Sequence, residues 1–127
     1  MVKVGQLMTS ELVTVEAATT ISQAARLMAA RRVGSLFVRR NGEVVGIVTE
    51  PDIIRKGLGQ GLDLRSTSVS EIMSAPIISI DERRPITEAA GLMQAHRTRH
   101  LAVRKGEHMV GVLSVRDVLD PVARDTF

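Results

Sequence analysis

The sequence predicts an α/β fold of the mixed α+β kind. Two tandem repeats of strand–helix–strand–strand–helix are related by a pseudo-two-fold axis, with short mixed sheets inside and helices outside. Three observations predict it. Residues 4–59, moved forward by 65 positions, lie on residues 69–124 without a gap: VGQLM meets VSEIM, ISQAARLMAA meets ITEAAGLMQA, and VVGIVTEPDII meets VVGVLSVRDVL. Each copy holds a stretch of helical apolar spacing followed by two short β-prone runs joined at a Gly-bearing turn. The unit occurs only twice, so two half-domains facing each other are expected, whereas a solenoid needs at least about three stacked units.

The elements follow in order. Residues 12–15 are a short β-prone run. Thr20 is placed to cap a helix, with Gln23 completing a capping box. Ile21, Ala24, Ala25, Leu27 and Met28 then fall on one face. Residues 35–38 and 44–48 read as strands around Arg39-Arg40-Asn41-Gly42, and Asn-Gly is the strongest two-residue hairpin signal. Thr49 ends the second strand and caps a helix through Asp52, Ile53 and Ile54. In the second copy residues 77–80 form the strand, and Pro85 opens a helix where its missing N–H costs nothing. Ile86, Ala89, Ala90, Leu92 and Met93 repeat the stripe. Residues 101–103 and 109–113 are the paired strands around Lys105-Gly106-Glu107-His108, and Ser114 caps the last helix through Asp117, Val118 and Leu119.

The repeats are bounded at 4–61 and 69–124, with a Gly-rich polar stretch to about Ser68 reading as a linker inside one module. One repeat of about 60 residues is marginal alone, so mutual packing of the halves is the expected source of stability.

Composition narrows the function. Cysteine is absent, which excludes disulfides, thiolate metal sites and thiol catalysis. There are two Phe and no Trp or Tyr, so the core must be aliphatic. Neither a signal peptide nor an apolar run long enough for a membrane span is evident, and a cytoplasmic protein is expected. Net charge is only +3, and the arginine pairs 31–32, 39–40 and 83–84 read as solvated surface, with phosphate-bearing ligands and nucleic acid as the other readings.

Chemistry concentrates at the strand-to-helix junctions Gly46-Ile-Val-Thr49-Glu-Pro-Asp52 and Gly111-Val-Leu-Ser114-Val-Arg-Asp117. A hydroxyl followed three residues on by an acid is first of all a helix cap. The same geometry serves a nucleotide. Free N–H groups and a hydroxyl at a helix start suit phosphate, and a carboxylate one turn in accepts hydrogen bonds from a ribose diol. Arg116 adds a guanidinium for phosphate oxygens.

With those motifs in place, the chain resembles the CBS-domain pair, or Bateman module, from about Val4 to Arg124. The resemblance implies two clefts between the halves, each mixing residues of both repeats. One would pair Ser114, Arg116 and Asp117 with Val13, Val33, Gly34 and Ser35, the adenine lying against apolar and backbone groups and Asp117 holding the ribose. The other would pair Thr49 and Asp52 with Ile78, Thr98, Arg99 and His100. Pro51 stands where the first cleft has Arg116, removing a cation and an N–H, with Arg99, His100, Arg55 or Lys56 as the alternative sources of charge. The clefts are therefore expected to differ in affinity, the first matching ribose–phosphate and the second suiting longer phosphate chains.

The resemblance also implies an adenine nucleotide (AMP, ADP or ATP) as regulatory ligand rather than a cofactor, a homodimer through exposed helical surfaces, and an effector protein in trans. No catalytic constellation or metal site is expected. His96 and His100 are four apart, but the repeat alignment places His100 at a strand edge beside the position of Ser35, so the spacing does not make a helical metal pair. Met28 and Met93 are expected in the core, and Met8 and Met73 as packing residues. Two other classes stay open. Nucleic-acid binding by the arginine-bearing surface lacks the rings that usually stack single-stranded bases and an evident recognition helix. An enzyme acting on the nucleotide would have Asp52 and Asp117 as its carboxylates, yet polar helix starts offer no acid–base split between them.

Overall fold

The computed structural model describes residues 1–119, so the end of the second repeat expected at 69–124 lies outside the described residues. The fold is mixed α/β, with two three-stranded sheets in two repeated units. One unit is Val13–Ile77; the other joins Met1–Leu12 to the chain from Ile78 onward.

In the first of these, β1 (Thr14–Glu16) leads into α2 (Ile21–Arg31) and then the hairpin of β2 (Ser35–Arg40) and β3 (Glu43–Thr49); the short α1 (Val4–Leu7) precedes β1 but belongs to the other unit. The sheet order is β1-β2-β3, with β1 parallel and β3 antiparallel to β2. Thr20 caps α2 as its sequence suggests: Gln23 N donates to Thr20 Oγ1 at 3.1 Å, and Thr20 N donates to Gln23 Oε1 at 3.1 Å. The stripe of Ile21, Ala24 and Met28 is buried against Leu36, Val38 and Val48. Full burial of a side chain such as Ile21 or Met28 is worth about 1.5–3 kcal/mol. Asn41 and Gly42 both take positive φ, 52° and 81°, as a type I′ turn requires. The strands run to Arg40, two residues further than the apolar pattern, across a bulge between Val38 and Arg39. Strand β1 begins two residues later than expected.

The other unit repeats this plan. β4 (Ser79–Asp81), α4 (Ile86–His96), β5 (His100–Lys105) and β6 (His108–Ser114) give the order β4-β5-β6, and α5 (Val115–Leu119) follows. Ala89 and Met93 of α4 are buried against Leu101, Val103 and Leu113, while Ala90, expected on the stripe, is exposed. Gly106 alone has positive φ in this hairpin, 63°, the sign of a type II′ turn. Helices α2 and α4 end at equivalent arginines, Arg32 and Arg97, held in the left-handed region at φ 55° and 52°.

Two further features differ from the sequence reading. The opening residues of each repeat pack against the sheet of the other. Val4 N donates to Arg84 O at 2.9 Å and Thr9 pairs with Val112, while Val69 N donates to Thr19 O at 2.8 Å and Ser74 pairs with Ile47. Val4 and Val69 are fully buried as a result. The Gly-rich stretch read as a linker is also structured. After α3 (Glu50–Asp52) the chain continues as a π-turn segment, Ile53–Gly57, and a 3₁₀ turn, Leu58–Gln60. Leu64 O and Thr67 O then accept from Ser22 N and Ile21 N, satisfying N–H groups that the start of α2 leaves unpaired.

Candidate functional site

Both junctions form at the end of the third strand of their sheet, where the chain turns directly into a helix. At the first, Thr49 N donates to Asp52 Oδ2 at 3.0 Å and Asp52 N donates to Thr49 Oγ1 at 3.3 Å. At the second, Ser114 N and Ser114 Oγ both donate to Asp117 Oδ2, at 2.8 and 3.1 Å, and Asp117 N donates to Ser114 Oγ at 3.4 Å. Asp52 and Asp117 are both buried, at 8% and 6% exposure, so each carboxylate is fixed by a reciprocal cap before any ligand is considered. Asp52 carries a further restraint: Lys56 Nζ lies 3.1 Å from its Oδ1 and also donates to Ile72 O at 3.4 Å. Lys56 therefore serves Asp52 directly. A carboxylate offers about four lone-pair sites, so a cap occupies only part of its capacity.

The glycine that begins each motif has a packing reason. A Cβ on Gly46 would fall 2.6 Å from Met73 Sδ, and one on Gly111 would fall 2.7 Å from Met8 Sδ and 2.7 Å from Thr9 O. Met8 and Met73 thus lie over the strand that leads to each junction, while Met28 and Met93 are in the cores.

Beside each junction runs the edge of the same repeat. Ser35 pairs with Thr49, and Glu50 N donates to Gly34 O at 3.0 Å. Equivalently, His100 pairs with Ser114, and Val115 N donates to Arg99 O at 2.8 Å. Val13 O and Ile78 O accept from Phe37 N and Ala102 N, joining the first strand to its sheet. Val33 N and Thr98 N donate to the carbonyls of Met28 and Met93 at the helix ends. Thr98 Oγ1 further donates to His100 O at 3.0 Å, a bond that Val33 cannot make. Within its own unit, then, each junction is gathered with the edge of its own repeat. Val13, Val33, Gly34, Ser35, Thr49 and Asp52 lie in one unit, and Ile78, Thr98, Arg99, His100, Ser114, Arg116 and Asp117 in the other.

The residues between hydroxyl and acid differ in kind at the two junctions, Glu50-Pro51 at one and Val115-Arg116 at the other. The Glu50 carboxylate lies over Gly34, its Oε1 2.7 Å from the point where a Cβ would stand, and Val115 occupies the matching place in the second repeat. Arg116 and Arg99 are exposed. Other arginines singled out in the sequence are engaged with acids: Arg39 with Glu16 at 3.0 Å, Arg83 with Asp81 at 3.0 Å, and Arg84 with Glu88. Asp81, buried at the end of β4, accepts from both the side chain and the backbone N–H of Arg83, which holds its carboxyl far below the usual carboxylate range. Among the described residues no group of three or more His, Asp or Glu is placed to hold a metal ion, and no helix is long and apolar enough to cross a membrane.

Two repeated mixed-sheet units, each with a capped hydroxyl–acid junction at the end of its third strand, define a tandem-repeat α/β module. The chain belongs to the CBS-domain family: the CBS domain model matches residues 4–59 and 69–124, making it a CBS pair. The CBS domain-containing protein YhcV of Bacillus subtilis is 33% identical over 118 residues, spanning 93% of this chain and 84% of that protein. A protein with CBS domains from Burkholderia ambifaria superposes with a TM-score of 0.86 at 31% identity, covering 99% of this chain and 97% of the other. The CBS domain protein PAE2072 of Pyrobaculum aerophilum, solved in complex with AMP, superposes with a TM-score of 0.76 at 31% identity, covering 97% of this chain and 99% of the other.

Proposed function

We propose that this CBS pair senses an adenosine-containing nucleotide, AMP, ADP or ATP, and reports it to a partner without turning it over. The observation that carries the reading is the duplicated junction, in which a buried acid and a hydroxyl are fixed together at a helix start. The AMP complex of the Pyrobaculum relative supports the choice of ligand. In this reading the ligand contacts both repeats. One cleft sets Ser114, Arg116 and Asp117 against Val13, Val33, Gly34 and Ser35. The other sets Thr49 and Asp52 against Ile78, Thr98, Arg99 and His100. Asp117 and Asp52 take the ribose hydroxyls, Arg116 takes phosphate, and the base lies along the strand edge.

A ligand gripping both repeats shifts their arrangement only by its differential affinity for the alternatives, and a tenfold difference, about 1.4 kcal/mol, already changes populations usefully. We infer that the shift passes through a homodimer to an effector in trans. A thermal-shift panel of AMP, ADP, ATP, S-adenosylmethionine and NAD on wild type, Asp52→Ala and Asp117→Ala tests the reading. A ligand at 100 times its dissociation constant adds about 2.7 kcal/mol to the native state. The gain should shrink in at least one variant; a panel in which no adenosine ligand raises the wild-type midpoint removes the proposal.

A further inference from the structure

The geometry points to Glu50 as the residue that reads the purine, selecting a 6-amino over a 6-oxo base at the Gly34 edge. This inference rests on the nucleotide reading above, in which the base lies along residues 33–35. Two observations carry it. The carboxylate of Glu50 occupies the space a side chain at position 34 would fill, 2.7 Å from the ideal Cβ of Gly34. It is also exposed and has no hydrogen-bond or ion-pair partner among the described residues, so its acceptor oxygens are available at that edge. The dipole role an acid plays at a helix start is already filled by Asp52, two residues on and capped to Thr49.

A free carboxylate accepts hydrogen bonds and cannot donate them when ionised. At position 6 the amino group of adenine donates, whereas the oxo group of hypoxanthine or guanine presents only lone pairs and repels a carboxylate facing it. A 6-oxopurine must therefore shift to offer its N1–H instead. A polar site left with mismatched groups discriminates more strongly than an apolar one, because the rejected ligand leaves those groups unpaired. The second repeat has no counterpart. Val115 stands at the equivalent of Glu50 and Arg99 at the equivalent of Gly34, so that edge offers a methyl-bearing chain and a cation instead. One edge is therefore built to read an amino group and the other is not.

The experiment is a titration of ¹⁵N-labelled protein with AMP and with IMP, followed at the backbone amide of residue 34. Wild type should prefer AMP by at least about tenfold, the size expected for one hydrogen bond to a charged group. Glu50→Gln, whose amide can donate to a 6-oxo group, should bring the preference below about threefold. Gly34→Ala should do the same while keeping the carboxylate charge, because the new Cβ displaces it, and the displaced atom is the far end of a flexible side chain. A wild type that binds AMP and IMP equally, or a preference that survives Glu50→Gln, overturns the role of Glu50 and leaves nucleotide sensing standing. Binding of neither nucleotide by wild type overturns the role of Glu50, and overturns nucleotide sensing as well only where no adenosine ligand of the thermal-shift panel binds.

Discussion

Asp117 Oδ2 receives both the backbone N–H and the hydroxyl of Ser114, at 2.8 and 3.1 Å, whereas Asp52 Oδ2 receives only the backbone N–H of Thr49. The two junctions are the same motif closed in two ways. Asp117 gathers both donors of one serine on a single oxygen, and Asp52 spreads its load over two oxygens with Lys56 on the second.

The aspartates carry stability as well as any ligand. Asp117→Ala and Asp52→Ala should each lose about 1 kcal/mol, the usual worth of a helix cap. Asp52→Ala also strips Lys56 of its counter-ion. Urea unfolding checks this, with Asp117→Asn expected between wild type and the alanine variant because its amide oxygen still accepts from Ser114.

The motif glycines should resist substitution. Gly111→Ala drives a Cβ to 2.7 Å from the fixed carbonyl of Thr9, while Gly46→Ala meets Ser74 O at 3.0 Å and the mobile end of Met73 at 2.6 Å. Both should cost about 1–3 kcal/mol, Gly111→Ala the more, since overpacking against backbone cannot be relieved by a rotamer change. Equilibrium denaturation of the pair measures the difference.

The left-handed arginines should improve on replacement. Arg32→Gly and Arg97→Gly remove the steric penalty of positive φ at a helix C-terminus, where glycine is favoured. A gain of about 0.5–1 kcal/mol each is expected after the entropy of the unfolded glycine is counted. Midpoints of chemical unfolding report it.

Asp81 sets a pH dependence. Its folded-state pKa is depressed, chiefly by the Arg83 side-chain hydrogen bond, so the unfolded chain binds the proton more readily. The stabilisation is fully present above the unfolded value near 3.9 and fades as pH falls below it toward the folded value. The denaturation midpoint should drop progressively as pH falls below about 4, and Asp81→Asn should flatten that part of the profile.

Much of this was legible in the residues. Thr20 with Gln23, Asn41-Gly42 and the paired stripes of α2 and α4 each depend on contacts within a few positions, which a linear pattern records. The four-residue α1 escaped because its start is capped from Gln6 to Lys3 N at 2.7 Å, with no Ser, Thr, Asp or Asn to announce it. The extension of β2 to Arg40 was hidden because Arg39 is held by Glu16 on a neighbouring strand, and charged residues before Asn-Gly read as a turn. Packing of Val4 against the second sheet and of Val69 against the first is non-local and leaves no periodic trace. The Glu50–Gly34 contact spans sixteen positions, so the sequence names Gly34 as a cleft residue without linking it to Glu50.

Isothermal titration of AMP into wild type and into Asp52→Ala/Asp117→Ala tests the central claim most directly. Wild type should release heat at two non-equivalent sites, and the double variant, shown by circular dichroism to be folded, should release none. Equal AMP binding by the folded double variant would contradict the account.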